Sequence, residues 1–462
     1  MIISQEIELN EKFKEALDIL ENTTKNVLIT GRAGTGKSTL LDYFRNHTKK
    51  EIVVLAPTGV AAVNVNGQTI HSFFGFKPTI TIENVKKIYG KNEDIYKFID
   101  IIIIDEISMV RADIFDCIDR FLRINGKDKN KPFGGVRMIF IGDLYQLPPV
   151  VKGNEKELFK TYYKSQYFFD SYVFENLDIE FIELDKIYRQ TDENFINILN
   201  AIRNKSVTSE DIIQINKRLN PNFEPDSQDF YIYLTTTNKL AKEVNNKELN
   251  KIESNLFTFT GKIRGDFDKS YLPTDEILNL KVGSQIMLLN NDKEHRWVNG
   301  TVGKVISIDN DEDEKTVINI RLRDGRNVNV TQHKWDLSHL NYNKNTKKLE
   351  SEIIGSFTQY PLKLAWAVTI HKGQGKTFDK IVIDIGNGTF THGQIYVALS
   401  RCTTLDGIVL KKQIEKKHIC MDLRVDNFIT RFKQTPSQKK TYSIEEKQNI
   451  IKFNTEKQTV LV

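Results

Sequence analysis

Short apolar runs recur along this chain, each closed by a glycine loop or by carboxylates. Residues 27–30 (VLIT) lead into GRAGTGKST, and the stretch behind that loop has a helix-like pattern (STLLDYF). Residues 101–104 (IIII) lead into Asp105 and Glu106, and residues 136–141 lead into GDLYQLPPV. Four to six apolar residues without polar alternation predict strands buried on both faces, as in a parallel α/β sheet. Residues 256–354 follow another rhythm. SQIMLL, GKVISI, TVINIRLR and NVNVTQ are separated by turn signals such as LPTD, VNGT and RDGR, which predicts a small β-barrel inserted into the α/β frame. The stretch 421–462 is rich in Lys and Gln and only weakly helical (SIEEKQNIIKF), so it is expected to be a basic tail or a packing helix.

A length of 462 residues implies two to four domains, and 39% hydrophobic with 27% charged residues fits a globular chain. No apolar run approaches ~18 residues and no signal-like segment opens the chain, so the expectation is an intracellular, cytoplasmic, nucleoid-associated protein without a membrane partner. Cys117, Cys402 and Cys420 are scattered, which argues against a disulfide framework or a Cys-ligated zinc site. The net charge is +5, but residues 411–462 hold 12 Lys and Arg against 6 Asp and Glu. The remaining 410 residues are therefore close to neutral, and a polyanion would have to be met by a local groove.

The chemistry begins at GRAGTGKST. It fits G-x-x-x-x-G-K-S/T with Gly31, Gly36, Lys37 and Ser38, between a strand and a helix. Gly34 and Gly36 let backbone N–H groups close on phosphate oxygens, and Thr35 and Thr39 flank the same cradle. Lys37 is expected to reach the β- and γ-phosphates of ATP, and Ser38 to ligate Mg²⁺. Asp105, at the end of the isoleucine run, would hold Mg²⁺ from the other side, and Glu106 would orient and deprotonate the attacking water. Gln146 lies just past a third strand, where the ligand crevice of an open α/β sheet opens, and is a candidate γ-phosphate sensor.

Taken with APTGVAA (56–62), LDKIYRQ (184–190), LTTTNKLAKEVN (234–245), VNGTVGKV (298–305), LAWAVTIHKGQGKTFDKIVID (364–384) and GQIYVALSRCTT (393–404), these motifs resemble those of superfamily-one helicases. They are most similar to the petite-integration-frequency (PIF) family and its RecD-like relatives, over about residues 26–410. The resemblance implies two RecA-like domains with ATP between them. These are a first domain at 1–178, with a wedge subdomain near 75–98, and a second at 179–255 plus 355–420. The insertion at 256–354 would be Src-homology-three-like. It also implies a second-half contribution to the phosphate site from Arg189 and Arg401, with Gly375 approaching the nucleotide.

The tripeptide Thr-Ile-His occurs twice, at 69–71 and 369–371. Under the resemblance the two copies are equivalent strand-facing loops of two paralogous halves. Pro57, Thr58, His71, Phe73, Phe74, Thr236, Asn238, Thr369, His371 and Lys372 are then the expected DNA contacts, the aromatic rings stacking on bases. The function implied is an ATP-dependent 5′-to-3′ DNA helicase. It would act as a monomer on single-stranded and on tailed or structured duplex DNA. The residues themselves leave open an RNA or RNA–DNA hybrid helicase and a strand-stimulated ATPase clamp. The glutamine that such helicases place upstream of the phosphate loop to read adenine is missing; Gln5 and Asn10 are the candidate substitutes.

Overall fold

The four isoleucines at 101–104 are buried on both faces and lie inside a six-stranded sheet. Its strands are β1 (Asn26–Gly31), β2 (Ile52–Ala56), β3 (Gln68–Thr69), β4 (Ile101–Ile104), β5 (Arg137–Ile141) and β6 (Ile179–Leu184), in the order β3-β2-β4-β5-β1-β6. All pairings are parallel. Parallel strands send their C-terminal ends to one edge, so the residues after β1, β4 and β5 emerge side by side. The helix Lys37–His47 buries Leu40, Leu41 and Phe44, and the helix Glu11–Asn22 buries Phe13, Ala16 and Leu20, in one core with the sheet.

The structure, a computed structural model, describes residues 10–433 apart from 90–93, 152–154, 156–158, 160, 227–228, 268, 270–271, 311–315, 344–347, 387 and 389–390. The chain divides into two units, Met1–Met421 and Asp422–Val462. In the second, the helix Leu423–Lys433 is described; the expected helical stretch SIEEKQNIIKF lies outside the described residues, as does Gln5.

A second parallel sheet starts with β7 (Ile232–Thr235). The chain then leaves it for ten antiparallel strands. These are β8 (Leu256–Thr260), β9 (Lys262–Gly265), β10 (Ile277–Lys281), β11 (Gln285–Leu288), β12 (Val302–Asn310), β13 (Thr316–Leu322), β14 (Asn327–Val330), β15 (His333–Asn343), β16 (Lys348–Gln359) and β17 (Leu362–Leu364). It returns as β18 (Ala367–Thr369), β19 (Ile381–Asp384) and β20 (Ile408–Leu410), giving the order β18-β7-β19-β20. Phe195, Ile198, Leu199 and Ile202 of the helix Glu193–Arg203 pack on this sheet, and so do Ala33 and Leu147 of the first half.

Two expected boundaries move. Strand β6 pairs with β1 from Asn26↔Ile179 to Gly31↔Leu184, so the first half runs past 178 to at least Leu184. IEFIEL mixes apolar residues with Glu180 and Glu183 on an edge strand and carries no Gly or Pro break. The insertion likewise extends past 354, because β17 pairs with β11. Its strands form three sheets, β10-β8, β14-β13-β12-β11-β17 and β15-β16-β9. Leu280, Ile286, Val305, Ile320, Val330 and Leu362 belong to one apolar core there.

The wedge region is built on aromatic packing. Phe73, Phe74, Phe76, Tyr96 and Phe121 are all buried. Phe73 and Phe74 meet edge-on at 4.8 Å, Phe74 and Phe121 at 5.1 Å, and the Tyr96 hydroxyl donates to the Phe73 carbonyl at 3.1 Å. The helix Ile95–Phe98 that carries Tyr96 touches the β15–β16 hairpin. Truncating a central ring leaves a cavity as well as lost transfer energy. Phe74→Ala is expected to lower unfolding free energy by about 3–5 kcal/mol, read as a fall in the urea midpoint. Unchanged stability with weakened strand binding would return Phe74 to a base-stacking role.

Candidate functional site

Strand β1 ends at Gly31, and the turn that follows places Gly34 and Gly36 at φ of 81° and 84°. A side chain is disfavoured in this left-handed region. At Gly34 it is also blocked, since a Cβ there would lie 2.5 Å from that of Arg189. Lys37, the first residue of the following helix, donates to the carbonyls of Gly31 at 2.7 Å and Arg32 at 2.9 Å. Burial pushes its ammonium below the ordinary lysine range. Ala33, Gly34, Thr35, Gly36, Lys37, Ser38 and Thr39 line a cleft of about 960 Å³. Arg189, packed against Gly34, and Gly375 and Arg401 line it too, so the cleft joins the two halves.

Asp105 follows β4 and is buried; burial, then the neighbouring Glu106 charge, pushes its carboxyl up to about 7. Glu106 lines the cleft with φ 50° and ψ 44°, a left-handed conformation unusual for a glutamate. Burial raises its pKa as well. Gln146 also lines the cleft, and its side-chain amide donates to Asp143 at 3.3 Å.

The two arginines are the sharpest feature. Arg401 is 1% exposed, and its guanidinium donates to the Val397 carbonyl and the Ser400 hydroxyl, both at 3.0 Å. Arg189 donates to the Ser400 carbonyl at 3.1 Å. Among the described residues neither forms an ion pair, which rules out the surface salt bridge that such arginines usually make. Burial pushes both pKa values down; Arg189 falls to about 9, with Arg401 repelling it further. Desolvated cations without an ion-pair partner are costly; the Glu106 charge offsets this pair only in part, and the pair shares its cleft with the glycine loop.

Three partners in this network escaped the sequence reading. Gln374, 7% exposed, donates to Glu106 Oε2 at 3.0 Å and to Gln146 Oε1 at 3.2 Å. The Tyr396 hydroxyl accepts the Ala33 N–H at 3.0 Å and donates to Asp143 at 2.9 Å. Arg203 is buried between Asp143 and Glu183, each 3.5 Å away, with its guanidinium 4.2 Å over the Tyr145 ring. The halves also meet at Gly393, where a Cβ would come within 2.6 Å of the Tyr145 and Gln146 carbonyls. Gln374 and Tyr396 sit inside the motifs KGQG and GQIYVALSR; a lone polar group within a buried segment is the signal that could have found them. Asn10 does not replace the upstream glutamine in a simple way: its Oδ1 caps the helix at Phe13, and its Nδ2 donates to the Tyr188 hydroxyl. Phe13 and Tyr188 line the cleft mouth instead.

The repeated tripeptide has one structural meaning. Thr69 ends edge strand β3 beside β2, and Thr369 ends edge strand β18 beside β7. Each hydroxyl accepts the backbone N–H three residues on, Ser72 at 3.2 Å and Lys372 at 3.3 Å. Ile70 and Ile370 are each 1% exposed. His71 and His371 are half-buried, and burial lowers both imidazole pKa values. The strands alongside match as well. After β2, Thr58 caps a helix through the Ala61 N–H; after β7, Thr237 does so through the Leu240 N–H. Pro57 and Thr58 in one half thus answer to Thr236, Thr237 and Asn238 in the other, all half-buried or exposed. Lys372 is exposed. Phe73, Phe74 and Thr369 are corrected: the rings are core and the threonine hydroxyl is a buried cap, so none presents a surface to a strand.

Comparison with known proteins agrees with this geometry. A family model described as PIF1-like helicase matches residues 7–212. The ATP-dependent DNA helicase Pif1 of Campylobacter jejuni is 33% identical over 404 residues, covering 82% of this chain and 87% of its own. Unliganded Pif1 from Bacteroides sp superposes with a TM-score of 0.84 at 37% identity, over 94% of this chain and 100% of that one. The Bacteroides Pif1 helicase in complex with ADP-AlF3 and ssDNA superposes at 0.69 with 37% identity, over 93% and 99%. With the phosphate loop, the cross-cleft arginines and the doubled strand-end motif all in place, the chain belongs to the PIF1-like helicase family.

Proposed function

We propose that this chain binds ATP in the cleft between its halves, closing them, and hydrolyses it, letting them open, and that this cycle moves it 5′-to-3′ along single-stranded DNA, displacing the paired strand. The observation that carries this reading is that the guanidinium groups of Arg189, half-buried, and Arg401, buried, line the phosphate-loop cleft without an ion pair among the described residues. In their proposed roles, the loop amides and Lys37 hold the β- and γ-phosphates, and Glu106 takes the proton of the attacking water. Gln146 senses the γ-phosphate, and the arginines stabilise charge developing on the transferred group. Phe13 and Tyr188 offer aromatic faces to the base. Ser38 lines the cleft and Asp105 is buried at the end of β4 beside the cleft-lining Glu106; both are hard oxygen donors. They fit Mg²⁺, which would neutralise phosphate charge when bound.

The strand would cross the matched strand ends, meeting Pro57, Thr58 and His71 in one half and Thr236, Asn238, His371 and Lys372 in the other. Hydroxyl, amide and helix N-terminal groups of this kind suit phosphate oxygens, and neutral imidazoles can stack. Relatives named ATP-dependent DNA helicase support DNA as the track.

Lys37→Ala is expected to abolish ATP turnover while nucleotide-independent binding of a labelled oligonucleotide survives. Arg189→Ala and Arg401→Ala should bind ATP nearly normally yet lose on the order of 10³–10⁵ in hydrolysis rate; wild-type turnover in either would make that arginine structural. Polarity is tested with two duplexes that differ only in which strand carries the overhang. Unwinding of the 5′-tailed substrate alone is expected. Unwinding of the 3′-tailed one alone would reverse the direction, and strand-stimulated ATPase with no unwinding of either would indicate a clamp.

A further inference from the structure

The geometry points to Gln374 as the residue that ties ATP turnover to strand occupancy: its side-chain amide restrains Glu106 until a strand held at His371 and Lys372 shifts the turn that carries it. This rests on the ATPase and strand-site reading above, and assigns the coupling between the two sites to one side chain.

Gln374 belongs to the second half, yet both of its side-chain hydrogen bonds among the described residues reach the first. One N–H meets Glu106 Oε2 at 3.0 Å and the amide also meets Gln146 Oε1 at 3.2 Å. These are the two groups assigned to the attacking water and the γ-phosphate. An amide donor on a carboxylate occupies a lone pair and lowers its basicity, so Glu106 held this way is a poorer base than Glu106 released. Charge-assisted bonds of this kind are stronger than neutral ones, and this one is partly buried.

The backbone links the contact to the strand side. The Gln374 N–H donates to the His371 carbonyl at 3.2 Å, and the Gly373 N–H to the Thr369 carbonyl at 2.9 Å. Residues 369–374 are therefore one hydrogen-bonded turn, in which a displacement of His371 displaces Gln374. The turn is anchored at both ends. Thr369 is buried at the end of β18, and Lys376 is buried with its ammonium on Asn299 Oδ1 at 2.6 Å. Asn299 in turn donates to Asn64 Oδ1 of the first half at 3.0 Å. Between the anchors, Lys372 and Gly375 are exposed, and Gly375 sits at φ 78°, where a glycine turns most freely. A force applied at the exposed crest thus has a short path to the carboxylate and a pivot beside it.

The test is steady-state ATPase of the full chain with and without saturating oligo-dT, for wild type, Gln374→Ala and Gln374→Asn. The shorter asparagine cannot span to Glu106 and should behave like alanine. Both variants are expected to raise the strand-free kcat about tenfold, equivalent to ~1.4 kcal/mol. The strand-saturated kcat should stay within about twofold, with KM for ATP unchanged, so the stimulation ratio collapses. Oligo-dT affinity without nucleotide, read by fluorescence anisotropy, should match wild type and show that the variants are folded. A fall of both rates by one common factor would make Gln374 a simple support of the base and overturn the proposal, as would an unchanged ratio. Wild-type ATPase indifferent to oligo-dT would instead sink the strand-coupled reading beneath it.

Discussion

Two positive charges held in one cleft without an ion pair organise this molecule. Among the described residues Arg189 and Arg401 bond to carbonyl and hydroxyl groups and to no carboxylate, with the Glu106 charge further off, and burial pulls both pKa values down. Such an arrangement is expensive in isolation. It becomes favourable when phosphate enters, and the phosphate loop that would bring it belongs to the opposite half. Polyphosphate binding and closure of the halves are then one event, and that makes the cleft a motor rather than a pocket. The surrounding polar network keeps the walls in register: Tyr396 bridges the Ala33 amide to Asp143, and Gln374 bridges Glu106 to Gln146.

The two halves solve the strand-facing problem alike. In each, an edge strand ends in a threonine that caps the next turn, an isoleucine fills the core and a half-buried histidine is left at the surface. The neighbouring strand in each ends in a threonine-capped helix. Equivalent grips on two bodies that open and close against each other are what stepping along a strand requires. The insertion is not remote from this, since Asn299 ties the second half's turn to Asn64 of the first.

Much of the site was legible in the sequence because its chemistry is local. A phosphate loop needs its glycines and lysine within nine residues, and a carboxylate pair after an apolar strand is a contiguous signal. Arg189 and Arg401 became legible through resemblance, since nothing adjacent in the chain marks them. Gln374, Tyr396 and Arg203 were missed because each reaches a partner in the other half of the cleft: Glu106 is 268 residues from Gln374, and Asp143 is 253 from Tyr396. Phe73 and Phe74 failed for the opposite reason: paired aromatics behind a histidine look the same whether they meet a base or a core. Only the distant Tyr96 and Phe121 decide it. Strand β6 was assigned to the wrong half because a short edge strand carries no label for the sheet it joins.

If the cleft is completed for transfer by the arginines, it must prefer a transferring phosphate to a product. Equilibrium binding of ADP, alone and with aluminium fluoride and Mg²⁺, tests this directly. Transition-state analogues bind at least about 100-fold tighter than ground-state ligands when a site is built for the transition state. The account predicts that aluminium fluoride tightens ADP binding by about that factor or more. Equal affinity with and without it would contradict the account, and would mean that the buried guanidiniums serve the fold and not the reaction.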